Sequence, residues 1–564
     1  MRTQPSSHKT IDEALEVLQA NKGAWVEFSI DGRIAILDEI KQDIMKVADS
    51  LISASINAKD LPAHSNGEGE EWLTLAGVFR YVRLLRQSLI DTQKHGRPQI
   101  PGPITTRPDG QVMAKVFPQT KFDSILFRGF TGEVWMEPGV TSEEVISTQA
   151  RIYQDKSHKG KVIALLGAGN NLVLTPVDLL YKFFIEDHVV ALKTNPVNAY
   201  LDPFMEEGFR ALIRRGFLRI IPGGMKEGSY VCNHPAVDEI HLIGSDKTFE
   251  AIMFGSGPEG TRRKAERSPL ITKRFTAELG NITPVIIVPG HWNNDDIREQ
   301  ALQLASWLVF NAGFQCHTPR VIIQHKSWEH RDSLIKTIGD VLSNVKTRKA
   351  YYPGAIERHA AFMAAHPDAK QFGERSGDHL PWTLITGVDS NNTDDICFKT
   401  EAFCGLFAET ALEAPSVSEF IDRAVEFANK ELWGTLCATI IVHPKSLDDP
   451  KIANAVDHAI STLRYGMICI NLRVEYGFDR MQGTWGGFPG HDIYDVQSGI
   501  GLTHNVLMFD RPQKTVIRGP FAKSPNPFAV TSKRMDKFGK KLVYYEASPS
   551  VWKLVGLFWN ALRS

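Results

Sequence analysis

Apolar residues recur every three or four positions through the first hundred residues, in IDEALEVLQA, in LDEIKQDIMKVADSLISASI and in WLTLAGVFRYVRLLRQSLIDTQKH after a Gly/Asn/Glu-rich break at 64–71. That spacing lines one face of a helix, so this part is expected to be helical. GRPQIPGPITTRPDG, rich in Pro and Gly, reads as a connecting segment. Over 123–139 the pattern turns strand-like. SILFRGFTGEVWMEP, with β-rich runs either side of Gly129 and Gly132, is expected to form a hairpin.

Short apolar runs ending in Gly or Pro follow: KVIALLGAG, HVVALKTNP, LRIIPGG and EIHLIGS, with helix-like stretches such as DPFMEEGFRALIRRG between them. The alternation predicts a parallel α/β sheet, whose ligands sit beyond the carboxyl ends of the strands. A second α/β segment begins near TPVIIVPG and runs through IREQALQLASWLVFNAG, RVIIQ, LCATIIVHP and MICINL. The expected architecture is two α/β domains with a β-rich appendage.

Composition narrows the partners. At 564 residues the chain exceeds what one core organises, and its 43% apolar and 23% charged residues are those of a folded globular protein. Lys plus Arg number 64 against 65 Asp plus Glu, so nothing suggests nucleic acid and a small-molecule partner is expected. The six cysteines form no CxxC pair or Cys/His cluster, so no metal is expected and a reducing cytosol fits. The first residues lack the apolar stretch of a signal peptide, and no run reaches about 18 apolar residues. A cytoplasmic location is the expectation.

Four residues stand out for chemistry. Cys316, in FNAGFQCHTPRVII, lies in a turn between a helix and a strand, where neighbouring N–H groups favour a thiolate; a free cysteine is also a common small core residue. Glu278, in FTAELGNITP, sits at the join of the two α/β segments, where ligands bind, though by itself a surface carboxylate or helix-end charge is the better reading. Asn170 ends the first strand in LLGAGNN, placed to donate to a developing oxyanion or simply to shape a turn. Glu401, in KTEAFCGLFAET, is ambiguous by itself.

Taken in order over roughly 134–501, these segments resemble the aldehyde dehydrogenase superfamily. Gly169-Asn170 stands where that family has Pro-Trp-Asn, and Lys193 follows at its lysine spacing. IIPGG, with Gly223, and then Gly244-Ser245 match its cofactor turns. AELGNITP resembles its Glu-Leu-Gly-Gly segment, NAGFQCHTPR its nucleophile segment, EAFCG its Glu-x-Phe-Gly motif, and ICINL and TWGGFPG its closing segments. The resemblance implies Cys316 as nucleophile, Glu278 as general base and Asn170 as oxyanion donor. It implies cofactor contacts from Lys193, Gly223, Gly244, Ser245, Glu401 and Phe403, with NAD or NADP as cofactor.

The implied fold is α/β and aldehyde-dehydrogenase-like: a Rossmann-type cofactor domain, an α/β catalytic domain and a β-rich oligomerisation segment. The divisions fall at 1–120 (helical part of the cofactor domain), 121–140 (β-hairpin), 141–282 (nucleotide-binding), 283–502 (catalytic) and 503–564 (oligomerisation strand and amphipathic tail). A homodimer or homotetramer is implied as well.

The departures carry information. Only the Asn of Pro-Trp-Asn is kept, Phe249 takes the sixth position of G-x-x-x-x-G, and Asn195-Pro196-Val197-Asn198 replace the stretch where a ribose-binding Glu is usual. Without that carboxylate a 2′-phosphate is not repelled, so NADP is expected to be tolerated. The implied reaction is oxidation of an aldehyde to the acid through a thiohemiacetal and thioester on Cys316, with an apolar, long-chain aldehyde suggested by the tail. An acylating dehydrogenase or acyl-thioester reductase, and a catalytically silent nucleotide-binding homologue, are the alternatives. In the tail, SVWKLVGLFWNALRS, helical spacing predicts a polar stripe of Lys553, Gly556, Asn560 and Arg563 with apolar residues elsewhere, suited first to packing against a second subunit or the chain's own core, and otherwise to a substrate roof or a peripheral membrane contact.

Overall fold

The computed structural model describes residues 4–155, 157–521 and 526–561. Helices α1 (His8–Val26), α2 (Ile30–Ala58) and α3 (Asn66–His95) open the chain. Ser7, Ser29 and Ser65 start them, each hydroxyl accepting an N–H that the first turn leaves unpaired. Gly96, at φ +77°, ends α3 in the left-handed region that suits glycine.

Strands β1 (Ile104–Thr106) and β2 (Val112–Phe117), the short helix α4 (Lys121–Leu126) and β3 (Thr131–Met136) follow. The hairpin expected around Gly129 and Gly132 does not form there. Thr120 and Asp123 exchange side-chain and backbone bonds in a capping box that starts α4, and β3 pairs antiparallel with β2 instead. β1 lies inside the Pro/Gly-rich segment read as a connection.

The next strands are β4 (Val162–Leu166), β5 (Val189–Lys193), β6 (Leu218–Ile221), β7 (Glu239–Ile243), β8 (Arg274–Glu278), β9 (Thr283–Ile287) and β10 (Pro319–His325). After them come β11 (Lys370–Phe372), β12 (Trp382–Val388), β13 (Leu406–Leu412), β14 (Cys437–Ile441), β15 (Met467–Ile470), β16 (Gly499–Ile500) and β17 (Pro512–Arg518). The helices used below are α5 (Leu174–Phe184), α6 (Met225–Asn233), α7 (Asp246–Phe254), α8 (Asn294–Val309), α9 (Met535–Ala547) and α10 (Val551–Ala561).

Two sheets organise the molecule. One has the order β16-β8-β7-β4-β5-β6, with β4 to β8 parallel, so their carboxyl ends share one edge. The other has the order β1-β2-β3-β17-β15-β14-β9-β10-β13-β12-β11 and is parallel from β17 to β12. Strands β4, β5, β9 and β14 are buried along their whole length, as continuous apolar runs covered on both faces require. β3 and β17, read from the sequence as an appendage, pair with each other and extend the second sheet through β15.

α9 lies on α3 at a close backbone approach. A Cβ on Gly69 would stand 2.6 Å from the Met535 carbonyl carbon, and one on Gly539 2.9 Å from the Gly69 oxygen. Buried Arg80 of α3 binds Glu546 of α9 at 2.9 Å, Asp123 of α4 at 2.9 Å and the Arg480 carbonyl at 3.0 Å. The tail departs from its expected stripe. α10 buries Leu554, Leu557 and Asn560 and turns Trp552 outward, while Leu562 and Arg563 lie outside the described residues. No helix among the described residues is long and apolar enough to cross a membrane.

Candidate active site

The residues before Cys316 form a strained turn. Asn311, Ala312 and Gly313 have φ of +48°, +55° and +76°, a left-handed run that costs on the order of 1–3 kcal/mol for each non-glycine residue unless its surroundings enforce it. They do. Glu70 of α3 accepts the Asn311 N–H at 2.9 Å and is itself held by both Arg348 guanidinium nitrogens at 2.6 and 2.8 Å. The Asn311 side chain takes bonds from Tyr351 Oη at 2.9 Å and from Lys59 Nζ at 3.1 Å, and gives one to the Asn170 carbonyl at 2.8 Å. Fully buried Arg320, at the start of β10, then ties Gly313 O at 2.7 Å to Cys404 O at 2.6 Å and Leu406 O at 3.1 Å. The turn is fixed from both sides.

Cys316 sits at the end of this turn, 8% exposed, and its Sγ donates to Glu278 Oε1 at 3.3 Å. Glu278 is the last residue of β8, and its other oxygen is buried without a hydrogen-bond partner. Burial, and after it the charge of Asp178, push the Glu278 carboxyl above the ordinary carboxylate range. Burial and then the Glu278 charge raise the Cys316 thiol well above the usual cysteine value, so the resting pair is a thiol donating to a carboxyl group.

Behind Glu278, Asp178 of α5 contacts His241 Nε2 at 3.0 Å, and His241 Nδ1 meets Thr276 Oγ1 at 2.8 Å. Burial raises the Asp178 carboxyl and lowers His241 well below the usual histidine value, which keeps the imidazole neutral. Asn170 follows β4, and its Nδ2 donates to Phe314 O at 3.0 Å and to Gln315 Oε1 at 3.3 Å. The Cys316 backbone N–H has no acceptor among the described residues.

The predicted cofactor residues fall on the shared carboxyl edge of β4 to β8. Lys193 ends β5, Gly223 lies between β6 and α6, and Gly244 and Ser245 lie between β7 and α7, where the Ser245 hydroxyl caps the helix. The Lys193 carbonyl accepts the Gly167 N–H at 3.0 Å, while its ammonium forms no hydrogen bond or ion pair among the described residues. Burial lowers its pKa, with Glu227 acting in the opposite direction. Glu401 accepts the Asn281 N–H at 3.2 Å, and burial pushes its carboxyl up to about 7 against the pull of Arg320. Phe403, at φ +41°, packs its ring 4.9 Å from that of Tyr352. Phe249 is a core residue, fully buried and 4.7 Å from the Phe275 ring.

The structure thus brings Cys316, Glu278 and Asn170 together around one turn, with Glu401 close by: a Cβ on Gly280 would meet its carboxylate. Sequence reasoning missed Asp178, His241, Arg320 and Tyr351. The first three are polar residues inside apolar runs, a pattern that marks a buried polar partner. A cavity beside Cys316 is lined by Leu174, Phe310 and Phe478 and by Asn171, His317 and Glu475, a mixed surface that fixes no chain length. Elsewhere His366, Asp395 and Cys397 converge, as do Glu186, His188 and Glu239. In the first group His366 already bonds Asp395 at 3.0 Å, and in the second Arg274 pairs with Glu239 at 2.6 Å.

Residues 198–366 match the aldehyde dehydrogenase family. The human methylmalonate-semialdehyde/malonate-semialdehyde dehydrogenase [acylating], mitochondrial, is 25% identical over 261 residues, 43% of this chain and 44% of that protein. N-succinylglutamate 5-semialdehyde dehydrogenase of Sphingopyxis alaskensis is 24% identical over 188 residues, 33% of this chain and 32% of its relative. The matched part therefore spans less than half the length of these relatives. Among solved structures, aldehyde dehydrogenase C of Pseudomonas syringae, in complex with NAD+ and octanal, aligns over 93% of this chain and 91% of its own with a TM-score of 0.60 at 16% identity. The NADP-dependent glyceraldehyde-3-phosphate dehydrogenase of Bacillus halodurans, in complex with NADP, aligns over 91% of both chains with a TM-score of 0.60 at 15% identity. At such identity the likeness establishes the fold, that of the aldehyde dehydrogenases, and the family match itself is confined to residues 198–366.

Proposed function

We propose that the chain oxidises an aldehyde to the carboxylic acid, with NAD+ or NADP+ as hydride acceptor, through a thioester on Cys316. The observation that carries this reading is the Cys316 thiol 3.3 Å from a buried Glu278 whose second oxygen is unpartnered, on a turn held in a strained conformation. A structural cysteine needs neither the base nor the strain.

The cofactor fits the carboxyl edge of β4 to β8. Backbone N–H groups at the starts of α6 and α7 suit a pyrophosphate, Lys193 has an uncommitted ammonium for the adenosine ribose, and Glu401 and Phe403 stand on the side facing Cys316. When bound, the nicotinamide supplies a hydride acceptor. No carboxylate occupies 194–198, and Asn195 turns onto its own loop, accepting the Val197 N–H at 3.0 Å, so a 2′-phosphate meets no repulsion from that segment.

Glu278 takes the thiol proton, and the thiolate forms a bond to the carbonyl carbon. The oxygen that gains charge meets the Cys316 N–H, and Asn170 reaches it by giving up its longer bond to Gln315 Oε1. Loss of hydride from that carbon leaves the acyl thioester. Once it has released the thiol's proton to solvent, Glu278 takes a proton from water, whose oxygen displaces the Cys316 sulfur as thiolate and releases the acid. The retained carboxylate favours water as acceptor, while the acylating relative makes coenzyme A the acceptor to test against it.

NAD(P)H formation with a panel of aldehydes, using wild type and Cys316→Ala, tests the reading. Cys316-dependent turnover without coenzyme A supports it. Turnover only with coenzyme A, or equal rates in both proteins, overturns it. The homodimer or homotetramer implied by the resemblance belongs to the same proposal, and sedimentation of the purified chain tests it.

A further inference from the structure

The last helix, α10, is apolar on both sides. Its inner side packs on α9 with Leu554, Leu557 and Asn560 buried. At about 100° per residue, Val551, Trp552, Val555, Phe558 and Trp559 fall within an arc of roughly 120° on the opposite side. Their exposures are 60, 85, 56, 38 and 57%. A surface helix ordinarily turns its polar face to water, yet no charged residue interrupts this one.

Charges flank it, and those exposed on α9 and α10 are positive, with Lys540 of α9 paired at 2.5 Å to the exposed Asp49 of α2. Lys537 and Lys541 stand one turn apart on α9, both exposed, and Tyr544 continues their stripe at 43% exposure. The Lys541 ammonium is 3.9 Å from where a Cβ on Gly556 would lie, at the border of the apolar arc. Lys553 lies about 100° beyond Trp552, on the inner side of α10, where its ammonium bonds the Tyr544 and Ser548 carbonyls at 3.0 and 2.9 Å. The carboxylates of α9, Asp536 and Glu546, are buried at 7 and 2% exposure, and no acidic residue follows Glu546.

We propose that this face docks the protein on an anionic lipid surface, with α10 lying in the plane of the interface. Tryptophan and phenylalanine on one side of a short helix, with lysines along one border, are the groups that partition to the headgroup boundary. The helix is too short to span a bilayer. Five side chains also fall well below the roughly 20–30 residues per side of a stable protein interface. The lysine border complements phosphate headgroups rather than another copy of itself. The proposal is independent of the chemistry assigned to Cys316.

Co-sedimentation of the full chain with vesicles of phosphatidylcholine alone, or mixed with phosphatidylglycerol, tests it. The protein should bind the mixed vesicles, less so as salt rises, with a blue shift of tryptophan emission. W552A/F558A should weaken binding about tenfold or more through lost apolar burial. K537Q/K541Q should weaken it roughly fivefold per lysine and flatten the salt dependence. Unchanged thermal unfolding of both variants, whose changed side chains are exposed, shows that the fold is intact. Absence of wild-type binding to the mixed vesicles, or binding that W552A/F558A leaves intact, overturns the proposal. So does a salt-resistant dimer in sedimentation that W552A/F558A dissociates, since the occupant is then a second copy.

Discussion

Glu278→Gln isolates the base from the shape of its site. The side chain is 3% exposed and fills its pocket equally well as an amide, so the change removes proton transfer and little else. A positioned general base is worth about 10²- to 10⁴-fold, or roughly 2.7–5.5 kcal/mol of barrier. Steady-state turnover should fall by that factor. Sulfur is a far better nucleophile than water, and loss of the Glu278 charge removes one cause of the raised thiol pKa, so hydrolysis needs the base more than the first attack does and the first turnover should appear as a burst of NAD(P)H.

The pH profile gives a second readout. Glu278 works as a carboxylate, and burial raises its pKa. Wild-type kcat should therefore decline on the acid side with a midpoint above the ordinary carboxylate range, and that limb should vanish in the variant. Stability moves the other way. A carboxyl group with a raised folded-state pKa holds its proton more tightly folded than unfolded, so its contribution is complete below the unfolded pKa and is lost as pH rises through the folded one. Gln cannot ionise, so the variant should match wild type in mild acid and exceed it at about pH 9. Turnover within about threefold of wild type, with the acid limb retained, would refute the assignment of Glu278 as base.

Three further outcomes follow from the geometry. Arg320→Met removes the clamp on Gly313, Cys404 and Leu406; Cys404 O keeps the Leu406 N–H and Gly313 O the Thr318 hydroxyl, so the loss is of the charged hydrogen bonds themselves, about 1.5–3 kcal/mol each. kcat should fall with little change in the cofactor KM, and the pH dependence of Cys316 alkylation should shift, which a loss of general stability alone would not produce. Arg80→Met leaves Asp123 without its ion pair and Glu546 with Arg83 alone, and should cost about 3 kcal/mol at neutral pH, measured by denaturant unfolding. Burial alone would raise both pKa values, but Arg80, and after it Arg83, hold them below normal. Their contribution is present above the unfolded pKa and is lost as pH falls through the folded one, and the variant should lose the Arg80 part of that dependence. Steady-state KM values for the two cofactors should be similar or favour NADP+, and a strong NAD+ preference would contradict the reading of 194–198.

Much of this was legible along the chain because the signals are local. KVIALL, VVALK and TPVII are continuous apolar runs ending at turns, and all three are buried parallel strands. The order of motifs picked out Cys316 and Glu278, although neither is distinctive alone. The α4 capping box was also written locally, as Thr120 and Asp123, but the alternation after it outweighed that signal. What pattern could not supply is long-range pairing. Glu70, Arg348 and Tyr351 meet Asn311 or one another from distant segments, so nothing near the NAGFQC run marks them as its support. The tail shows the limit of helical periodicity. The period was right, but burial of Asn560 and exposure of Trp552 depend on where α9 lies.

The central claim is a covalent acyl group on Cys316, and trapping it is the most direct test. Glu278→Gln would be mixed with an aldehyde and NAD(P)+, quenched in acid before slow hydrolysis is complete, and digested for peptide mass spectrometry. The account predicts that the peptide containing Cys316 gains the mass of the acyl group, only when both aldehyde and oxidised cofactor are present. An unmodified Cys316 peptide alongside NAD(P)H formation, or acylation at another cysteine, would contradict it.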